Sequence, residues 1–194
     1  ASMGAMFTSV HAQAQTDDST VLKPVVVTAQ KRSQSLQEVP ISMTVLDEAA
    51  LEKSHVRSLY DIAQSAPNFE VVRSPGWGTV NVRGVGGGGR SIGWDTRVGV
   101  YLDGVYLGQV QALDQSLADI DQIEILRGPQ GHLFGRNTDA GAVNITTRAP
   151  SKTFEGSIGL DVGNFNSREI SAYLSGPLSA STQGKISISS ENRN

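Results

Sequence analysis

Residues 123–150 read IEILRGPQGHLFGRNTDAGAVNITTRAP, two apolar runs joined by a glycine-rich connection. The first run ends on Arg127, Gly128-Pro129 breaks it, and glycines at 131, 135 and 141 punctuate the chain before a second alternating run begins. Glycine and proline at that density predict turns, so the stretch reads as strand, tight connection, strand. Arg127 and Arg136 both stand on this connection. Taken alone, two guanidiniums on such a turn hint at an anion site, since arginine donates paired hydrogen bonds.

Composition bounds what surrounds this stretch. The chain has 194 residues, 38% of them apolar and 18% charged, with 21 glycines and a formal charge of −3. It is long enough to bury a core, and low charge with high glycine leans toward turns and β-structure. The acidic balance, with a pI of about 5.6, carries no basic stripe and argues against nucleic acid. Cysteine is absent, which excludes disulfide frameworks and thiolate metal sites. No apolar run approaches the ~18 residues of a membrane-spanning helix.

Residues 1–14, ASMGAMFTSVHAQA, end in an Ala-x-Ala pattern and resemble the tail of a secretory signal peptide, cut after Ala12 or Ala14. The chain opens without Met, and we read it as a fragment of a longer reading frame. Residues 15–39 are predicted to be a flexible arm. Within the arm, Pro24-Val25-Val26-Val27-Thr28-Ala29 is an isolated β-branched run, suited either to pairing with a partner's sheet edge or to a first strand.

Between 40 and 150 the pattern is mixed. Ile41–Val45 alternates as a strand, Asp47 is placed to cap a short helix through Lys53, and Ser58 with Asp61 forms a capping-box pattern for a second helix stopped by Pro67. Phe69–Val72 and Thr79–Arg83 read as strands, and Asp103-Gly104 marks a hairpin between 98–102 and 105–107. A helical turn is expected near 113–120. After Pro150 the pattern changes to strict alternation. Phe154, Ile158, Leu160 and Val162 share one strand face, Ile170, Ala172 and Leu174 a second, and Ile186 and Ile188 begin a third. Such segments separated by turns mark outer-membrane barrel strands, although a soluble antiparallel sheet gives the same pattern.

Chemical motifs are weak. Gly84–Gly89 formally satisfies G-x-G-x-x-G, but the following residues do not read as the helix a pyrophosphate site needs. His11, His55 and His132 lack metal-ligand spacing, so no metal and no cofactor are expected. Asp119, Asp121 and Glu124 invite a paired-carboxylate reading, yet caps and solvent-facing positions at a strand entry explain them more simply. No nucleophile elbow is present, and the chain is not expected to be an enzyme.

The segments PVVVTAQKRSQSLQEVPISMTVL, SLYDIAQSAPNFEV, VNVRGVG, VGVYLDGVYL and IEILRGPQGHLFGRNTDAGAVNITTRAP stand in the order found in TonB-dependent outer-membrane receptors. Over about residues 24–190 the chain resembles that family's N-terminal part. The resemblance implies an α+β plug domain, a small mixed sheet with short helices at 40–150, followed at 151–194 by the first antiparallel strands of a large transmembrane β-barrel, truncated here. It implies a bacterial outer-membrane location, lipid around the barrel, and uptake of a scarce external ligand, a ferric siderophore or other iron chelate. TonB, energised by ExbB and ExbD, is the implied partner. One departure is Ala140-Gly141 where many relatives have Gly-Gly, expected to restrict the backbone there; His132 is another.

Residue by residue, the resemblance makes Pro24, Val25, Val26, Val27, Thr28 and Ala29 the TonB box. Arg83 and Arg127 match the plug arginines that pair with barrel-wall glutamates. The apical loops at 73–78, 86–95 and 108–112 offer Arg73, Trp77, Arg90, Trp94, Gln109 and Gln111 to the ligand. The rival reading from residues alone is a soluble secreted β-rich binding or adhesion domain; an extracellular hydrolase comes third.

Overall fold

The computed structural model describes residues 25–28, 32, 34–54, 56, 58–74, 77–87, 95–108, 119–164 and 166–192, with backbone alone at 73–74, 77 and 191. A two-residue antiparallel pair, β1 (Val26–Val27) with β2 (Gln34–Ser35), comes first. Strand β3 (Met43–Asp47) leads into helix α1 (Glu48–Lys53), and α2 (Leu59–Ser65) precedes the hairpin of β4 (Phe69–Ser74) and β5 (Trp77–Val82). Then follow β6 (Val98–Leu102), β7 (Val105–Tyr106), β8 (Ile120–Arg127), the short helix α3 (Gly131–Phe134) and β9 (Gly141–Thr147). A second sheet holds β10 (Glu155–Val162), β11 (Arg168–Pro177) and β12 (Gln183–Asn192).

Local chemistry sets the small elements. Asp47 accepts from Ala50 N at 2.9 Å and starts α1, while the Asp61 carboxylate accepts from both Ser58 N and Ser58 Oγ at 2.9 Å and starts α2. Asp103 and Gly104 both take positive φ, 48° and 81°, as a two-residue hairpin turn of the right twist requires.

The central sheet has the order β3-β8-β9-β6-β7, antiparallel except for the β6–β9 pair. Alternation along β8 gives it two faces. Ile123 and Ile125 join Val143 and Ile145 in a fully packed core with Leu59 and Ile62 of α2. Leu126 and Ala142 pack on the opposite face with Tyr101 and Phe134. A register shift between Ile120 and Gln122 lets Ile120 reach the first core although its parity is wrong for it.

The opening stretch differs from the expected turns by one feature: residues 131–134 coil into α3 between the strands. Ala140 does not strain the chain, because it lies outside the positive-φ region and its N–H donates to Arg97 O at 2.9 Å. The demanding position is Gly141. A Cβ there would sit 2.4 Å from the Leu126 carbonyl oxygen, in the backbone of the neighbouring strand. Gly141→Ala is therefore expected to destabilise the plug by ~1–3 kcal/mol through overpacking, read as a lower denaturation midpoint. A midpoint equal to the parent's would show that β8 and β9 separate freely.

In β10–β12 the even-numbered residues share one face. Ile158 pairs with Ala172 and that with Ile188, Leu160 with Ile170, and Leu174 with Ile186. Ile158, Leu160 and Val162 are 81%, 73% and 85% exposed, so the apolar face points away from the rest of the molecule. The odd-numbered face, with Tyr173, Ser175 and Lys185, carries the side chains that meet the remainder of the chain. β11 ends at Gly176-Pro177.

Candidate functional site

Arg83 and Arg127 are brought together at one end of the central sheet. Arg127 donates from Nη2 to Thr44 Oγ1 at 2.7 Å and to Pro67 O at 2.9 Å. Arg83, at φ 53°, donates to Ser42 Oγ at 3.0 Å. Burial, and after it the adjacent Arg83 charge, lower Arg127 from the ordinary guanidinium value. Among the described residues neither arginine is ion-paired with a carboxylate. Two neighbouring cations held by neutral acceptors form an electropositive knob that an outside carboxylate would neutralise. Arg136, the other arginine of the opening stretch, is exposed on the turn after α3.

The β-branched run contributes a surprise. Val26 is exposed, but Val27 is fully buried, and both are paired with Gln34 and Ser35. Of the two readings of this run, the structure has Val26–Val27 as a first strand of the chain's own, and residues 25–28 fold back onto the domain. Thr28 N donates to Glu124 Oε1 at 2.5 Å, and Leu36 N donates to Val25 O at 3.0 Å. Pro24 and Ala29, the ends of the run, lie outside the described residues.

Of the six loop residues expected to meet a ligand, Arg90, Trp94, Gln109 and Gln111 lie outside the described residues. Arg73 and Trp77 have described backbone only, near the tip of the β4–β5 hairpin, where Arg73 pairs with Gly78 and Trp77 with Ser74. At the stem of the 86–95 loop, Thr79 Oγ1 donates to Gly87 O at 3.0 Å, which ties residue 87 to β5.

The three acidic residues weighed as a catalytic set do separate jobs. Asp121 is exposed. Asp119, at φ 62°, has a side chain only 5% exposed and receives Lys185 Nζ of β12 at 2.7 Å, with Arg148 Nε at 3.6 Å. Lys185 also donates to Thr147 Oγ1 at 2.9 Å and to Arg148 O, while Arg148 pairs with Glu48 and lies 5.1 Å over the Tyr173 ring of β11. Burial lowers the Arg148 guanidinium, but Glu48 and Asp119 outweigh it, and the net shift is upward. The cluster clamps the exit of β9 to two strands of the second sheet. Sequence reasoning missed it, although Lys185, the one lysine or arginine on the odd-numbered face of β10–β12, was the available signal. Glu124 is likewise not solvent-facing; it lies mid-strand and is 0% exposed. Among the described residues, no group of acidic or histidine side chains could hold a metal, and His132 is exposed; His11 and His55 lie outside them.

A small mixed sheet tied by a charged clamp to strands that turn their apolar face outward defines the class: a plug with the beginning of a barrel wall. A family model described as "TonB-dependent Receptor Plug Domain" matches residues 35–142, more than half of the chain, and the chain belongs to that family. It is 29% identical to the pesticin receptor of Yersinia pestis over 91% of this chain and 26% of the relative. It is 32% identical to the vitamin B12 transporter BtuB of Vibrio vulnificus over 77% and 24%. The crystal structure of the ferric yersiniabactin uptake receptor FyuA from Yersinia pestis superposes with a TM-score of 0.69 at 28% identity, over 77% of this chain and 24% of that one. The chain thus spans about a quarter of the length of the relatives it matches. The family is one of outer-membrane receptors and not of enzymes.

Proposed function

We propose that this chain is the N-terminal plug (40–150) and first wall strands (151–194) of an outer-membrane receptor that imports a scarce external ligand of the ferric siderophore class. The observation that carries the reading is the sidedness of β10–β12. Their even-numbered apolar face is turned outward, as a lipid-facing wall requires, and their polar face holds the plug through Lys185 and Tyr173. A soluble secreted domain would bury that apolar face, since a contiguous exposed patch of this kind is uncommon on a monomer.

In this reading residues 24–29 couple the plug to TonB, which ExbB and ExbD energise, and Arg83 with Arg127 latch the plug to carboxylates of the barrel wall. Arg73, Trp77, Arg90, Trp94, Gln109 and Gln111 belong to the loops that meet the ligand. Iron as the cargo draws support from the FyuA likeness, whereas the BtuB likeness makes cobalamin the competitor. The test is growth of a strain lacking the gene, with and without the intact gene, in iron-chelated medium supplied with defined ferric siderophores. Siderophore-dependent growth is expected only with the gene. A defect confined to cobalamin-limited medium would move the cargo to cobalamin, and no defect in either medium would sink the transport reading.

A further inference from the structure

Glu124 is the most unusual ionisable group among the described residues. It is fully buried in the middle of β8, on the face opposite the main core, and none of its hydrogen-bond partners is a cation. Its carboxylate accepts from four neutral donors: Thr28 N at 2.5 Å, Thr28 Oγ1 at 3.3 Å, Gln122 Nε2 at 2.7 Å and Asn144 Nδ2 at 3.0 Å. Asn144 is its cross-strand partner on β9 and also donates toward Thr28 Oγ1 at 3.4 Å. Gln122 and Asn144 stay with the sheet whatever happens to the arm. The two Thr28 donors do not.

A carboxylate is costly to bury and holds its place only while donors satisfy it. Here half of those donors come from a segment 96 residues away in sequence that is attached by one two-residue strand pair and by the burial of Val27. We infer that Glu124 is a positioning residue that docks residues 25–28 against the plug and sets how often that segment is offered to its periplasmic partner. This rests on the reading of 24–29 as the coupling segment. Docking and coupling compete for the same backbone: a strand paired with Gln34–Ser35 and hydrogen-bonded to Glu124 cannot simultaneously add to another sheet edge. Undocking exposes the carboxylate to water, which solvates it well, so its cost falls mainly on the loss of charge-assisted bonds rather than on an orphaned charge.

The test uses the full-length receptor in detergent with a spin label on Cys at position 26, a position exposed in the docked state. Glu124→Ala is expected to convert the label from restricted to mobile without any external ligand. It should also tighten binding of the purified C-terminal domain of TonB by at least about tenfold, the equivalent of one charge-assisted hydrogen bond. Glu124→Gln, which keeps an acceptor but not the charge, should fall between parent and alanine. If Glu124→Ala does not fold, Thr28→Pro removes the segment's own N–H donor without touching β8 and should free the label equally. A label that stays restricted in both folded variants overturns the docking role and leaves the transport reading standing. A label freed in Glu124→Ala without tighter TonB binding instead overturns the link between docking and presentation, and with it the assignment of 24–29 as the coupling segment; Thr28→Pro is read by the label alone, because proline also removes an N–H that strand addition needs.

Discussion

Val26→Pro in the full-length receptor is expected to reduce energised uptake to the level of a strain lacking the gene while leaving ligand affinity at the outer face unchanged. The expectation starts from backbone chemistry. A segment that works by adding a strand to a partner's sheet must supply N–H donors in register, and proline supplies none and fixes φ near −65°. Losing only ~3 kcal/mol of the coupled complex weakens it about a hundredfold. Val26 is also the right position to change, since its side chain is exposed whereas Val27 is buried against the plug and Thr28 is held by Glu124. Substitution at 27 or 28 would perturb docking as well as coupling. The measurement is paired: radiolabelled ligand uptake in energised cells, and ligand binding to the same cells when de-energised. Normal uptake in the proline variant would remove residues 24–29 from the coupling role.

Position 26 and position 124 should therefore act in opposite directions. Proline at 26 leaves a segment that cannot be used by a partner. Alanine at 124 leaves one that is offered too freely.

Why one half of this arrangement was legible in sequence and the other was not follows from the range of the interactions. The β8–β9 pair could be read from the alternation of Ile123 and Ile125 and of Val143 and Ile145, and the caps of α1 and α2 from Asp47 and from Ser58 with Asp61, because each rests on neighbours within a few residues. The shared apolar face of β10–β12 was equally plain as a period of two, though not the direction in which it points. What alternation cannot say is what covers each face. The face bearing Gln122, Glu124 and Asn144 looks like a solvent face by composition, and only the return of residues 25–28 makes it an interior. The clamp between Asp119 and Lys185 spans 66 residues and joins two sheets, so neither residue announces its partner. Short α3 was hidden by glycines that read as turns. In each case the tertiary contact overrode a local signal that was correct as far as it went.

The latch and the clamp lie at opposite ends of the same strand. Arg127 closes β8 at one end, and Asp119 immediately precedes it at the other, where Lys185 ties it to the wall. A plug held at both ends stays seated; one held only at the clamp can rock. Arg127→Ala in the full-length receptor is accordingly expected to raise passive entry of large antibiotics that an intact outer membrane excludes. Removing this guanidinium deletes its bonds to Thr44 Oγ1 and Pro67 O, and with them the charge that the proposed wall carboxylates would need. With the group partly open to solvent, ~1–3 kcal/mol is the appropriate scale, a shift of about five- to 150-fold toward unseated plugs. Arg83 would remain, relieved of a like-charged neighbour, so the single variant should leak without collapsing, and Arg83→Ala combined with Arg127→Ala should leak more than either alone. The readout is the inhibitory concentration of a large hydrophilic antibiotic at matched receptor levels. Arg127→Lys separates charge from geometry: if it leaks as much as alanine, the guanidinium, aimed by its bonds to Thr44 Oγ1 and Pro67 O, is what the wall carboxylates need. If it is as tight as the parent, the charge suffices. Tight plugs in every arginine variant would show that the clamp at Asp119, Arg148 and Lys185 suffices to seat the domain.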